Sequence, residues 1–119
     1  MGILLKRVYD LPSVEDGKRV LVDRLWPRGL KKANARVDEW AKNVAPSNEL
    51  RRWFGHDPDK WAEFKLRYWK ELDTKRGAVE NLARECGEKR VTFVFGSRET
   101  KFNNANALKE YIETVFKGT

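Results

Sequence analysis

Hydrophobic positions along the chain change their spacing several times, and each change marks a boundary between elements. Ile3 to Val8 is a short apolar, β-prone run that predicts a first strand, with Met1-Gly2 as its lead-in. Pro12-Ser13-Val14-Glu15-Asp16-Gly17 is turn chemistry, sharpest at Asp16-Gly17. Arg19 to Leu25 predicts a second strand, stopped by Trp26-Pro27-Arg28-Gly29. Pro27 has no amide to donate to a ladder, and Gly29 permits a tight turn. Val91-Thr92-Phe93-Val94-Phe95 is the clearest buried strand, bounded by Lys89-Arg90 and Gly96.

Helical spacing fills the middle. A short helix is expected around Trp40, between Val37 and Val44. Ser47 is a good N-cap for a helix with the stripe Leu50, Trp53 and Phe54, ended by Gly55. Asp57-Pro58 opens the next helix as cap and first helical residue. Trp61, Phe64, Tyr68 and Leu72 form its apolar face, while Arg67 can pair with Glu63 and Glu71 on the outer one. Gly77 reads as a break before a helix from Ala78 to Cys86, closed by Gly87. A last helix starts at Asn103 or Asn104 and buries Leu108, Tyr111, Ile112, Val115 and Phe116.

The expected class is therefore α/β: a small, mainly parallel sheet of three or four strands packed with about five helices. With no repeat, linker or low-complexity run, residues 1–119 are expected to form a single domain. A parallel sheet binds ligands beyond the carboxyl ends of its strands. Those ends carry Tyr9-Asp10, Trp26-Pro27-Arg28 and Gly96-Ser97-Arg98.

Charge then narrows the partners. The formal net charge is +7, which favours anions such as nucleotides, phosphorylated metabolites, nucleic acid or acidic lipid, or simply a well-solvated surface. One cysteine, Cys86, excludes an internal disulfide, and with one histidine no zinc site of Cys and His ligands can form. Neither a Walker loop nor a dinucleotide-binding glycine motif occurs, so no cofactor is expected. The opening apolar run is too short for a signal segment, and no stretch approaches a membrane span. A cytoplasmic location is expected.

Candidate chemistry concentrates in Asp23-Arg24-Leu25-Trp26-Pro27-Arg28-Gly29. On a strand, Arg24 and Trp26 would face one side and Asp23 and Leu25 the other. Two guanidinium forks beside an indole suit a phosphate or carboxylate with a flat group stacked next to it. The alternative is that Arg24 pairs with a core carboxylate and Trp26 is packing. His56, the only histidine, suits proton transfer near neutrality, with Asp57 placed to orient it. Equally, His56 can bond the end of the preceding helix while Asp57 caps the next. Ser97 follows a strand but lacks the Gly-x-Ser-x-Gly pattern of a nucleophile elbow. Cys86 sits beside Glu85, near Glu88, and reads as structural.

These residues closely resemble the YeaO-like family of domains of unknown function. The match runs through Lys6-Arg7-Val8-Tyr9-Asp10, the Asp-Arg-Leu-Trp-Pro-Arg-Gly string, Ala45-Pro46-Ser47, Trp53-Phe54-Gly55-His56-Asp57 and Asn103-Asn104-Ala105. The resemblance implies a small α/β fold and marks Asp23, Arg24, Trp26, Arg28, His56 and Asn103, without implying an activity. The loop Phe95-Gly96-Ser97-Arg98-Glu99 departs from the family pattern.

Three functions follow. The first is binding of a small phosphorylated or nucleotide-like anion, open to hydrolytic or transfer chemistry. There Arg24, Trp26, Arg28, Arg98 and Asn103 would hold the ligand, and Asp23 and His56 would supply acid–base groups. The second is a nucleic-acid-binding module using the basic ribbon of residues 18–36 with Arg51 and Arg52. The third is a scaffold whose charges serve surface ion pairs.

Overall fold

The computed structural model describes residues 2–116; Met1, part of the expected lead-in, lies outside them. Strands β1 (Ile3–Arg7), β2 (Lys18–Leu21), β3 (Glu39–Trp40) and β4 (Val91–Phe95) form one sheet in the order β1-β4-β2-β3, every pair parallel. Helices are α1 (Lys32–Ala35), α2 (Asn48–Phe54), α3 (Trp61–Asp73), α4 (Arg76–Glu88) and α5 (Asn104–Val115). The small α/β fold with a parallel sheet and five helices agrees with the expected class, although α1 is not among the helices the pattern predicts and the helix expected around Trp40 is absent.

Alternation on the strands divides the core in two. Ile3, Val20, Val91, Phe93 and Phe95 face a large cluster shared with α2 to α5. Leu21, Val94 and Val8 face the other way, against Ala35, Trp26, Leu30 and Val37. That second layer is thin: a short helix and its flanking loops cover a sheet face that four helices do not. Within the main core Phe64, Tyr68 and Leu72 of α3 are buried as their spacing predicts.

Three boundaries differ from the sequence reading. The second strand ends at Leu21 rather than Leu25, although the Val22 amide still reaches Val94 O at 3.2 Å. Asp23 to Trp26 therefore lie off the ladder, and strand alternation does not order them. The segment around Trp40 is a strand, not a helix, because Asp38 and Ala41 amides pair with Arg19 and Leu21 carbonyls at the edge of β2 (both 2.8 Å). Helix α4 runs through both Gly77 and Gly87. Burial of Val79, Leu82, Ala83 and Cys86 outweighs about 1 kcal/mol of glycine cost at each.

The helix starts follow their caps. Ser47 Oγ accepts from the Leu50 amide at 3.2 Å, and Asn103 Oδ1 from the Asn106 amide at 2.9 Å. Ser47 also donates to Glu71 Oε2 at 2.6 Å, tying the start of α2 to α3. Glu71 is thereby used, so Arg67 pairs with Glu63 and lies over the Trp53 ring instead.

At the amino end of the sheet sits a buried ionic cluster. Arg19 is 3% exposed and donates to Asp16 Oδ2 at 2.7 Å, Ala35 O at 2.9 Å and Arg36 O at 3.1 Å. Lys6 reaches both Asp16 oxygens at 3.2 Å, and the Ser13 amide donates to the same carboxylate. Burial pushes the Asp16 carboxyl up, but Ser13, Arg19 and Lys6 together hold it below its ordinary value. Gly17 lets the chain turn here. Its φ is +64°, and a Cβ would lie 2.3 Å from Arg90 O.

Candidate functional site

At the opposite end, the loops leaving β1, β2 and β4 meet the end of α2 around a cleft of about 420 Å³. Asp23, Arg24, Trp26, Arg28, His56 and Asn103 all line it. Arg98 is exposed and is not among the lining residues. Tyr9, Arg51, Arg52, Gly96 and Asn104 join the wall. The site thus gathers residues from segments far apart in the chain.

Asp23 is at its centre. Its Oδ2 accepts from the Gly96 amide at 2.8 Å, and its Oδ1 from Asn104 Nδ2 at 3.0 Å. Burial lifts its carboxyl above the ordinary value, opposed by those two bonds and by the charge of His56. The Asp23 carbonyl accepts from Trp40 Nε1 at 2.8 Å. The loop is therefore pinned at both backbone and side chain as it leaves the sheet.

The arginines divide into fixed and unengaged. Arg24 donates from Nε to Pro46 O at 2.7 Å and from Nη2 to Ala45 O at 3.2 Å. It fastens the β2 exit to the start of α2, and pairs with carbonyls rather than with a core carboxylate. Arg28, Arg51 and Arg52 form no side-chain hydrogen bond or ion pair with a described residue, and Arg51 Nε is buried without a partner. Trp26 is a packing residue: its Nε1 donates to Leu30 O at 2.6 Å, and its ring meets Trp40 edge-on at 5.5 Å.

His56 follows Gly55, and both are left-handed (φ 60° and 52°). A glycine ending a helix this way is ordinary; a histidine continuing it is not. The imidazole contacts Phe54 at 6.3 Å and forms no hydrogen bond with a described residue, so it does not tie off α2. Asp57 accepts from the Asp59 amide at 3.0 Å, acting as cap rather than as orienter of His56. Asn103 is 2% exposed and engaged as the α5 cap, also donating to Glu99 O at 2.8 Å.

Of the other candidates, Ser97 Oγ accepts from the Glu99 amide at 3.0 Å. Cys86 is buried, and burial with the Glu85 charge pushes its thiol up to about 12. Among the described residues no three His, Cys, Asp or Glu side chains group as metal ligands would. No helix among them is long and apolar enough to cross a membrane. The basic ribbon of 18–36 is split by the fold. Lys18 pairs with Glu39 and Glu85, and Arg19 with Asp16, at the end of the sheet away from Arg24 and Arg28.

The sequence places Tyr9 and Gly96 at the strand ends where a parallel sheet binds ligands, and reads Asn104 only as a helix start. Position at the carboxyl end of a strand was the available signal. Arg51 carries none until α2 is placed against β2.

The family described as "Inactive DUF488-N3 subclade" matches residues 2–119. The uncharacterized protein YeaO of Escherichia coli is 37% identical over 115 residues, covering 97% of this chain and 100% of that protein. Uncharacterized proteins of Mycobacterium tuberculosis and Mycobacterium bovis are each 40% identical over 110 residues, 92% of both chains. No solved structure matches.

Proposed function

This chain belongs to the YeaO-like DUF488 family, and we propose that it binds a small phosphorylated or nucleotide-like anion in the cleft without turning it over. The description of its subclade as inactive favours binding over catalysis. The observation that carries the reading is the charge balance of the wall: four arginines and one histidine face a single carboxylate.

Surface arginines usually find acidic partners or water at little net gain. Here Arg28, Arg51 and Arg52 line one hollow with no acidic partner among the described residues. A phosphate would satisfy such donors with charge-assisted bonds worth about 1.5–3 kcal/mol each. Apolar side chains such as Leu25, Pro27 and Phe54 line the rest, suiting a ligand with an organic body. Pairing takes Lys18 and Arg19 out of the basic ribbon, which favours a small anion over a nucleic-acid backbone tracking its whole length.

Isothermal titration with phosphate, sugar phosphates and nucleotides tests this. Arg28 and Arg52 are exposed, so Arg28→Ala with Arg52→Ala leaves the fold intact. The double variant should weaken binding at least about tenfold, the loss of roughly one charge-assisted bond. Unchanged affinity in that variant sinks the proposal.

A further inference from the structure

A bare phosphate needs only the basic wall. The floor of the cleft holds features that such a ligand would not use, and a carboxylate among them would repel it. Asp23 receives one hydrogen bond on each oxygen, from Gly96 and Asn104. A carboxylate offers about four lone-pair positions, so acceptor capacity remains on the cleft side. Gly96 keeps the space beside it clear: a Cβ there would lie 3.2 Å from Asp23 Oδ2 and 3.9 Å from Tyr9 Cε2.

Tyr9 stands next to that space as a braced ring. Its hydroxyl donates to Arg28 O at 2.8 Å, joining the β1 exit to the arginine loop. The Arg7 guanidinium carbon lies 5.1 Å from the ring centroid, and Arg7 is itself held by the Ser97 and Gly96 carbonyls at 2.9 and 3.3 Å. Yet Tyr9 remains 43% exposed. A fixed, exposed aromatic plane beside a half-buried acceptor is the arrangement that reads a flat, N–H-bearing ring by stacking and hydrogen bonding.

Resting on the anion-site reading above, we infer that the cleft selects a nucleoside monophosphate. Its base stacks on Tyr9 and donates to Asp23, and its phosphate lies on Arg28, Arg51 and Arg52. The volume of about 420 Å³ lies within the roughly 300–1,000 Å³ of small-molecule sites.

The test is titration of the full chain with inorganic phosphate, ribose 5-phosphate and the adenosine, guanosine, cytidine and uridine monophosphates. At least one nucleotide should bind about tenfold more tightly than ribose 5-phosphate, a factor that one stacked base can supply. Tyr9→Ala and Asp23→Ala should each abolish that preference. Because Tyr9 is exposed, its variant reads out the preference even where the loss of Asp23 unsettles the loop. Equal affinity for nucleotides and ribose 5-phosphate overturns the inference and leaves the anion site standing. A nucleotide preference that survives Tyr9→Ala overturns it too. Binding of none of these ligands overturns both readings.

Discussion

The two ends of one parallel sheet treat charge in opposite ways. At the amino end, the cations Lys6, Lys18 and Arg19 each pair with a carboxylate among Asp16, Glu39 and Glu85, and the remaining Arg19 donors find the Ala35 and Arg36 carbonyls. At the carboxyl end, four arginines and His56 surround a carboxylate that is tied to Gly96 and Asn104 instead of to any of them. Both clusters set arginine against aspartate. A neutralised cluster holds elements together, whereas an unbalanced one stores attraction for something outside the chain. The contrast separates a structural network from the proposed binding site more sharply than burial alone.

The largest effect should come from breaking the neutral end. Asp16→Ala leaves the buried Arg19 without its carboxylate and should cost about 3–5 kcal/mol, read from urea unfolding at neutral pH. A loss under about 1 kcal/mol would mean that the two ends are not as different as described.

Acid should separate the ends next. The folded-state Asp16 value lies below the unfolded one, so its stabilisation is fully present above the ordinary carboxylate range. It is lost as pH falls through the folded value. Asp23 has the opposite sign: its value is raised, so burying its charge opposes folding at higher pH, and protonation in acid removes that cost. Urea midpoints taken from pH 6 down to about pH 3 should therefore fall in the parent chain. They should fall less in Asp16→Ala; parallel curves would contradict the assignment.

At the unbalanced end, Arg28→Ala with Arg52→Ala should change stability by no more than about 0.5 kcal/mol, while anion affinity drops. A large fall in melting temperature would show that these arginines brace the fold. The smallest effect belongs to His56→Gly. Relief of the left-handed backbone should leave stability unchanged or raise it by up to about 1 kcal/mol, by thermal melting. A clear loss would mean that the imidazole is anchored after all.

Much of this architecture was legible because it depends on local periodicity. The α3 stripe of Phe64, Tyr68 and Leu72, the caps Ser47 and Asn103, and the β4 run each carry their own signal. The misread segments are those where a distant partner decides. Glu39–Trp40 becomes a strand only because β2 offers its edge, and the β2 ladder stops at Leu21 because Asp23 turns out toward Gly96 and Asn104. Glycines 77 and 87 look like breaks until the face that α4 buries is known.

By itself, then, the sequence determined the class of fold, the parallel sheet, and the dense segment from Asp23 to Gly29 as the place to look. The class and the segment follow from hydrophobic spacing and residue chemistry, which act over a few neighbours, and the parallel sheet was expected from helices lying between the strands. Only the tertiary structure decided which basic residues are neutralised: Arg19 disappears into an ion pair, Arg24 fastens two loops, and Arg28, Arg51 and Arg52 stay available. Pairing of charge depends on distance in space, and residues as far apart in the chain as Asp23 and Gly96 become neighbours only when the strands align.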